Sequence, residues 1–290
     1  MATVVSADEG KRLAAGALAP EQVDAFQRNG AICIRGLLSP GTIEVLRREF
    51  ELLKAGAADI STYYAADGKP GRTLLREGNW QASAAFREVV FHSGMAQAAA
   101  LALRSREVRL YEDLLIYKAA AAGQPTPWHQ DAPQWPVSGH QVASVWLSLE
   151  PVTAQTGALR FVAGSHLGPV YTPYLPPAQR HLLEADRHFF DGGAMPDIDA
   201  DPARFPVISF DTQPGDVVLF STRAVHGAFG SAEDAPRRTF TVRFLGDDVR
   251  WQPKQSVFHD WLREIDLREG DPISGPRFPL AWPDPPPAGR

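Results

Sequence analysis

The chain has 290 residues, of which 44% are hydrophobic and 22% are charged, and its formal net charge is −5. This composition is typical of a globular protein and excludes wholesale disorder, collagen and coiled coil. A nucleic-acid-binding protein would show a basic excess or a basic stripe, and neither is present, so we expect no nucleic-acid partner.

The first third of the chain carries helical patterns. Ser39 and Pro40 provide an N-cap followed by proline at the first helical position, and apolar residues then recur every three to four positions. A short apolar strand, 31–35, precedes this helix. The other predicted helices are Pro20–Asn29, Ala84–His92 and Met95–Leu103.

From Val108 onward the pattern changes to short apolar or alternating runs bounded by glycine, proline and aspartate. No shift in composition marks a boundary, so we expect a single domain over residues 1–290. Strands that follow a helical preamble favour a sandwich or barrel braced by helices. The predicted strands are 110–118, 142–149, 158–162, 207–211, 216–220 and 239–245.

Two stretches show neither pattern. Residues 168–204 form a long interval inside a compact domain, and such loops are usually functional, so we interpret this interval as a candidate lid. Residues 270–290 form a proline-rich C-terminal tail.

The sequence also bears on location. No apolar run approaches the length of a signal peptide core or a transmembrane span, and the single cysteine, Cys33, excludes an internal disulfide. We therefore expect a soluble cytoplasmic protein without a membrane partner. The residues give no indication of an oligomeric state.

Two separate segments supply a candidate metal site. His129 and Asp131 are two positions apart, and on a strand such residues share a face. His226 comes just beyond the predicted strand 216–220. Two histidines and one carboxylate form a facial triad that leaves coordination positions open and is typical of non-haem Fe(II) oxygenases.

An arginine beside such a triad could hold a dicarboxylate through a bidentate pair. Two arginines compete, because strand alternation puts Arg237 with Thr239 and Thr241 on one face and Arg238 with Phe240 on the other. Periodicity alone would turn the apolar face inward and so favours Arg238.

Four segments carry a resemblance to a known family. They are, in chain order, PEQVDAFQRNGAICIRGLLS, YEDLLIYKAAAAGQPTPWHQD, VWLSLEPVTAQTGALRFVAGSH and QPGDVVLFSTRAVHGAFGSAEDAPRRTF. From about residue 20 to about residue 246 the chain resembles the phytanoyl-CoA dioxygenase family of Fe(II)- and 2-oxoglutarate-dependent oxygenases. The resemblance implies a mainly β fold with a double-stranded β-helix core, jelly-roll or cupin-like, braced by N-terminal helices.

The resemblance also implies roles for individual residues. His129, Asp131 and His226 match the iron ligands, and Arg237, against the periodicity, matches the residue that pairs with the far carboxylate of 2-oxoglutarate. Further expected contacts are Trp146 and Leu114 in the cosubstrate pocket and Gln130 near the open face of the metal. Apart from the resemblance, Trp135 is close in sequence to the metal ligands, so we expect Trp135 and Gln130 to contact the substrate.

Two positions depart from the family pattern. The family often has a small hydroxyl residue where this chain has Ala228, and an amide where it has Leu114. Neither replacement can make the hydrogen bond expected at its position.

The implied reaction is the oxidation, by hydroxylation or otherwise, of an unactivated C–H bond in a small-molecule metabolite, while 2-oxoglutarate and O2 become succinate and CO2. The presence of Asp131 disfavours a halogenase, which lacks this ligand, and the scarcity of lysine disfavours a CoA ester as substrate. Two alternatives stay open: a cupin-like Zn or Mn isomerase or hydrolase, and a non-catalytic binding module on the same fold.

Overall fold

The protein is described here by a computed structural model that covers residues 3–4, 17–59, 73–119, 125–173, 181–230, 236–255 and 260–283. Parts of the candidate lid (174–180) and of the tail (284–290) therefore lie outside the described residues.

The predicted helices are present, two further helices of four residues were not predicted, and local signals explain how two of the predicted ones begin or end. The Ser39 hydroxyl accepts a hydrogen bond from the Thr42 backbone nitrogen at 3.1 Å and so caps the second helix. The first helix ends at Gly30, whose φ of +79° is a left-handed conformation that favours glycine. The helices are α1 (Pro20–Asn29), α2 (Pro40–Lys54), α3 (Asn79–Ala82), α4 (Ala84–His92), α5 (Met95–Leu103) and α6 (Leu182–Ala185).

The strands form two main sheets and one small ribbon. Their bounds are β1 (Thr3–Val4), β2 (Ala31–Ile34), β3 (Ala58–Asp59), β4 (Thr73–Glu77), β5 (Val108–Lys118), β6 (Thr126–His129), β7 (Val137–Ser138), β8 (Val142–Ser148), β9 (Leu159–Val162), β10 (Val207–Ser209), β11 (Val217–Ser221), β12 (His226–Ala228), β13 (Arg237–Gly246), β14 (Arg250–Trp251) and β15 (Leu280–Trp282).

The larger sheet has the order β2-β11-β8-β13-β5-β4-β3, with β15 added beside β5. The smaller sheet has the order β1-β10-β9-β12-β6, and β7 pairs with β14 in the ribbon. Apart from the parallel pair β1–β10, the strand pairs within these sheets are antiparallel. The two sheets face each other as a double-stranded β-helix, so the predicted fold class is confirmed.

Both faces of the larger sheet are covered. On its outer face Phe240, Val242 and Phe244 pack against the helices, with the Phe240 and Phe86 ring centroids 4.7 Å apart. On its inner face Trp146 packs towards the smaller sheet, in a buried cluster that includes Phe161. The interior between the sheets is where the candidate site lies.

The proline-rich tail contributes to the fold within its described part. β15 pairs with β5, and Ala281 and Phe278 are buried. The sequence gives no strand signal there because three strand residues between prolines are too few for a periodicity to be recognised.

Candidate metal centre

Two short strands of the smaller sheet bring the histidines together. His226 on β12 is the register partner of His129 on β6, and their ring centroids are 4.2 Å apart. Asp131 follows β6 in a tight turn, which is held because the backbone nitrogens of Asp131 and Ala132 both donate to the Thr222 carbonyl oxygen, at 3.0 and 3.1 Å. The three predicted ligands are thus adjacent.

The ligand atoms converge on one point. Asp131 Oδ1 lies 3.4 Å from His129 Nε2 and 3.8 Å from His226 Nε2, and the ligand atoms of the three residues lie within 4.8 Å of one another. Nδ1 of His129 is 2.9 Å from the Pro127 carbonyl oxygen, and Nδ1 of His226 is 3.0 Å from that of Ala224. A carbonyl can only accept, so each Nδ1 carries the proton and each Nε2 lone pair points inward.

The charges suit a divalent cation. Burial lowers the pKa of His226 to about 4, with help from His129, so the ring is neutral and can donate a lone pair at neutral pH. Burial opposes ionisation of Asp131, but the Arg243 guanidinium holds the pKa of that carboxyl well below its usual range. Two neutral imidazoles and one carboxylate oxygen fit an Fe(II)-type triad.

The structure places the two competing arginines on opposite faces of β13. Arg238 faces the helices, where it forms ion pairs with Glu150 at 2.6 Å and Glu51 at 3.1 Å. Arg237 lies on the same face as Thr241, towards the interior, and donates to the Gly157 carbonyl oxygen. Among the described residues, no carboxylate lies within ion-pair distance of Arg237.

The surroundings of Arg237 favour an anion. Burial lowers the pKa of Arg237 to about 10, which Glu150 partly opposes, and the register partner of Arg237 on β5 is Lys118. Burial and the Arg237 charge lower the pKa of Lys118 to about 7. A carboxylate bound here would relieve the repulsion between these two cations.

The two expected pocket residues share the inner face with Arg237. Leu114 on β5 and Trp146 on β8 are both register partners of Thr241. Thr241 lies on the same face of β13 as Thr239 and Arg237. The side chains of Leu114 and Trp146 are both buried. They are placed to form the wall between Arg237 and the triad, and that role stays a prediction.

Gln130 and Trp135 are engaged elsewhere. Nε2 of Gln130 donates to the carbonyl oxygens of Pro169 (3.1 Å) and Arg223 (2.7 Å), and its Oε1 accepts from the Tyr171 backbone nitrogen (2.8 Å). Its amide is therefore occupied by backbone groups, which gives no support to the expected contact with cosubstrate or substrate.

Trp135 is 2% exposed and stacks on Tyr111, with centroids 4.5 Å apart. A side chain this buried has almost no surface to offer a substrate, and large aromatics most often serve as core. The Arg243 guanidinium lies over the Trp135 ring, 5.1 Å from its centroid.

Sequence reasoning missed Arg243 and Glu112. Arg243 Nη2 donates to Asp131 Oδ2 at 3.1 Å, and Nη1 is paired with Glu112. Strand alternation could have found Arg243, which shares the face of Arg237. A glutamate in the middle of a buried apolar strand was the second signal.

One stretch of the candidate lid, at Ile198 and Asp199, packs on the outside of the smaller sheet. Ile198 is buried against Val225, and the Asp199 carboxylate accepts a hydrogen bond from Trp128 Nε1 at 3.0 Å. Trp128 and Val225 directly precede the two histidines and therefore point to the opposite face of the sheet. This part braces the metal strands from behind, and closure over a substrate stays a prediction.

Comparison with known proteins decides the family. The family model described as phytanoyl-CoA dioxygenase (PhyH) matches residues 26–239. The chain belongs to the phytanoyl-CoA dioxygenase family. The predicted relationship is confirmed, and with it the enzyme class, a 2-oxoglutarate-dependent dioxygenase.

The relatives within this family are distant. Ectoine dioxygenase of Nocardia farcinica is 23% identical over 79% of this chain and 78% of its own length. Phytanoyl-CoA dioxygenase domain-containing protein 1 of Bos taurus is 21% identical over 85% of this chain and 95% of its own length.

Solved structures show the same fold. The non-haem α-ketoglutarate-dependent carbocyclase SnoK from nogalamycin biosynthesis superposes with a TM-score of 0.74 at 23% identity, covering 94% of this chain and all of that one. EctD from S. alaskensis, with 2-oxoglutarate and 5-hydroxyectoine, gives 0.65 at 21% identity, over 91% of this chain and 88% of that one. Among the described residues, no helix is both long enough and apolar enough to span a bilayer.

Proposed function

We propose that the protein is an Fe(II)- and 2-oxoglutarate-dependent oxygenase that hydroxylates, or otherwise oxidises, an unactivated C–H bond of a small-molecule metabolite. The observation that carries the proposal is the convergence of two inward Nε2 lone pairs and one carboxylate oxygen, together with a partly buried arginine, Arg237, on the inward face of β13. This combination serves a metal and a dicarboxylate together.

Each residue has a distinct task. His129, Asp131 and His226 hold the iron, and Arg237 pairs with the far carboxylate of 2-oxoglutarate. Leu114 and Trp146 exclude water from the space between the iron ligands and Arg237. Iron, 2-oxoglutarate and O2 supply the oxidising chemistry, and the chain orients the reactants.

The substrate is a small molecule that lies against the open side of the triad. Relatives support this class, since EctD was solved with 5-hydroxyectoine and the epimerase SnoN with nogalamycin RO. A CoA ester is disfavoured, because the chain has only five lysines and no cluster of basic residues in its sequence to bind the phosphates.

The test is an anaerobic titration with Fe(II) followed by 2-oxoglutarate. We expect a weak visible charge-transfer band at about 500 nm, which a keto acid gives when it chelates iron in a facial triad. The band should be lost in His226→Ala. If wild type binds Zn(II) or Mn(II) but never gives the band, the isomerase or hydrolase alternative replaces this proposal, and if no metal binds, the non-catalytic alternative does.

Arg237→Met and Arg238→Met form a matched pair for the cosubstrate. We expect Arg237→Met to bind Fe(II) normally but to need far more 2-oxoglutarate, while Arg238→Met keeps the wild-type requirement and loses only stability. The reverse result would assign the cosubstrate to Arg238 and contradict the proposal.

A further inference from the structure

A largely but not fully buried arginine contacts the carboxylate of the metal triad from the side away from the histidines. Only 14% of the Arg243 side chain is exposed, and its Nη2 donates to Asp131 Oδ2 at 3.1 Å. Asp131 Oδ1, by contrast, faces the Nε2 atoms of His129 and His226. The two oxygens of this carboxylate therefore have separate partners.

A carboxylate with two free oxygens can bind a cation through both and so occupy two coordination positions. Arg243 holds one oxygen of Asp131 and leaves the other for the metal. This matters because a facial triad works by leaving three positions open to cosubstrate and O2.

Besides Asp131, two side chains fix Arg243. Nη1 is paired with Glu112, whose side chain is 4% exposed, and the Trp135 ring covers the guanidinium. A β-bulge shifts the register between β13 and β5 at this point: Arg243 pairs with Glu112, whereas the next residue, Phe244, pairs with Leu110. Such a bulge re-aims side chains next to active sites.

Glu112 also balances the charge. A single arginine against Asp131 would cancel the negative charge that the ligand contributes to a metal. With Glu112 as a second carboxylate, Arg243, Glu112 and Asp131 together carry one negative charge, so Asp131 keeps its value as an anionic ligand.

We propose that Arg243 is a positioning residue that holds Asp131 as a one-oxygen metal ligand and thereby keeps the neighbouring coordination positions open. The inference rests on the proposed function only in that the triad binds a metal. It needs no particular substrate.

The test compares Arg243→Met with Arg238→Met. Both arginines lie on β13 and are paired with two carboxylates, but only Arg243 contacts a metal ligand. Fe(II) and Co(II) affinities are measured by anaerobic titration, and the intensity of the visible Co(II) bands reports coordination number without any cosubstrate. Thermal unfolding without metal reports the purely structural effect.

We expect Arg243→Met to bind Fe(II) about 10- to 100-fold more weakly, the range typical for loss of a group that orients a ligand. Its Co(II) bands should weaken, because Asp131 then binds through both oxygens and raises the coordination number. Arg238→Met should match wild type in both. Equal affinities and equal Co(II) spectra in the two variants would overturn the inference.

A third variant keeps the test decisive if Arg243→Met does not fold. Combining Arg243→Met with Glu112→Gln removes the carboxylate charge that Arg243 balances in wild type, and the same spectral change is expected. If wild type binds metal but gives no band with 2-oxoglutarate, the proposed function fails while the Co(II) comparison still decides the role of Arg243. If wild type binds no metal at all, both fail.

Discussion

Gly157 provides a perturbation that separates the binding of a dicarboxylate from the stability of the fold. Its carbonyl oxygen accepts from Arg237, and its φ is +93°. A Cβ built on it would overlap Arg237 Nη1 and lie 3.1 Å from the Phe229 carbonyl oxygen. In Gly157→Ala the cheapest relief is a swing of the flexible arginine, because the carbonyl belongs to the backbone.

The magnitudes follow from these contacts. A non-glycine residue at positive φ costs about 1–2 kcal/mol of stability. Displacing Arg237 should remove a charge-assisted hydrogen bond to 2-oxoglutarate worth about 2 kcal/mol, which is a factor of about 30 in affinity. We therefore expect Gly157→Ala to need about 30-fold more 2-oxoglutarate while losing little more stability than the backbone strain requires.

Gly275→Ala is the matched control. Its φ is +96°, and a Cβ there would meet no atom within 4 Å. Urea unfolding should give similar losses for the two variants, and anaerobic titration with 2-oxoglutarate should separate them. If Gly157→Ala binds 2-oxoglutarate as tightly as Gly275→Ala does, Arg237 does not hold the cosubstrate in the place proposed.

Two further predictions concern buried polar groups. Burial raises the pKa of Asp113 to about 7, so the folded protein binds this proton more tightly than the unfolded chain does. Stability should therefore fall by up to about 4 kcal/mol between about pH 4 and pH 7, and urea unfolding of Asp113→Asn, measured against wild type, should lack that fall. Gln130→Ala leaves the backbone groups of Pro169, Arg223 and Tyr171 without their amide partner, which should cost about 1–3 kcal/mol in urea unfolding. If Gln130→Ala lowers the free energy of unfolding no more than a substitution at an exposed residue does, the prediction for Gln130 is wrong.

The metal triad could be predicted from the sequence because its signal is local. His129 and Asp131 are only two positions apart, and His226 follows a recognisable turn and strand. The prediction that Asp131 lies on the same strand as His129 is wrong, because β6 ends at His129 and Asp131 has helical backbone angles in the turn that follows. The short strands β6 and β12 that carry the histidines were not recognised. Each has only three or four residues, which is too few for a periodicity.

The contacts of Gln130 and Trp135 depend on segments far away in sequence. The amide of Gln130 binds backbone groups about 40 and 93 positions away, and Trp135 stacks on a tyrosine of β5. No pattern near either residue carries this information. Proximity to a metal ligand in sequence therefore predicted contact with the bound molecules, whereas the structure engages both side chains in holding neighbouring elements.

The choice between Arg237 and Arg238 shows why periodicity misleads in this fold. The rule that the apolar face of a strand points inward assumes that a sheet has one buried face. β13 is central in a sheet with two buried faces, and its apolar face packs on helices, where Phe240 meets Phe86. On β13 the face towards the interior is the polar one, since a metal and an anion are to be held there. In such a fold, an arginine that alternates with threonines on a central strand indicates the inward face, where the candidate metal site lies. Arg243 continues that face of β13 and contacts the metal triad.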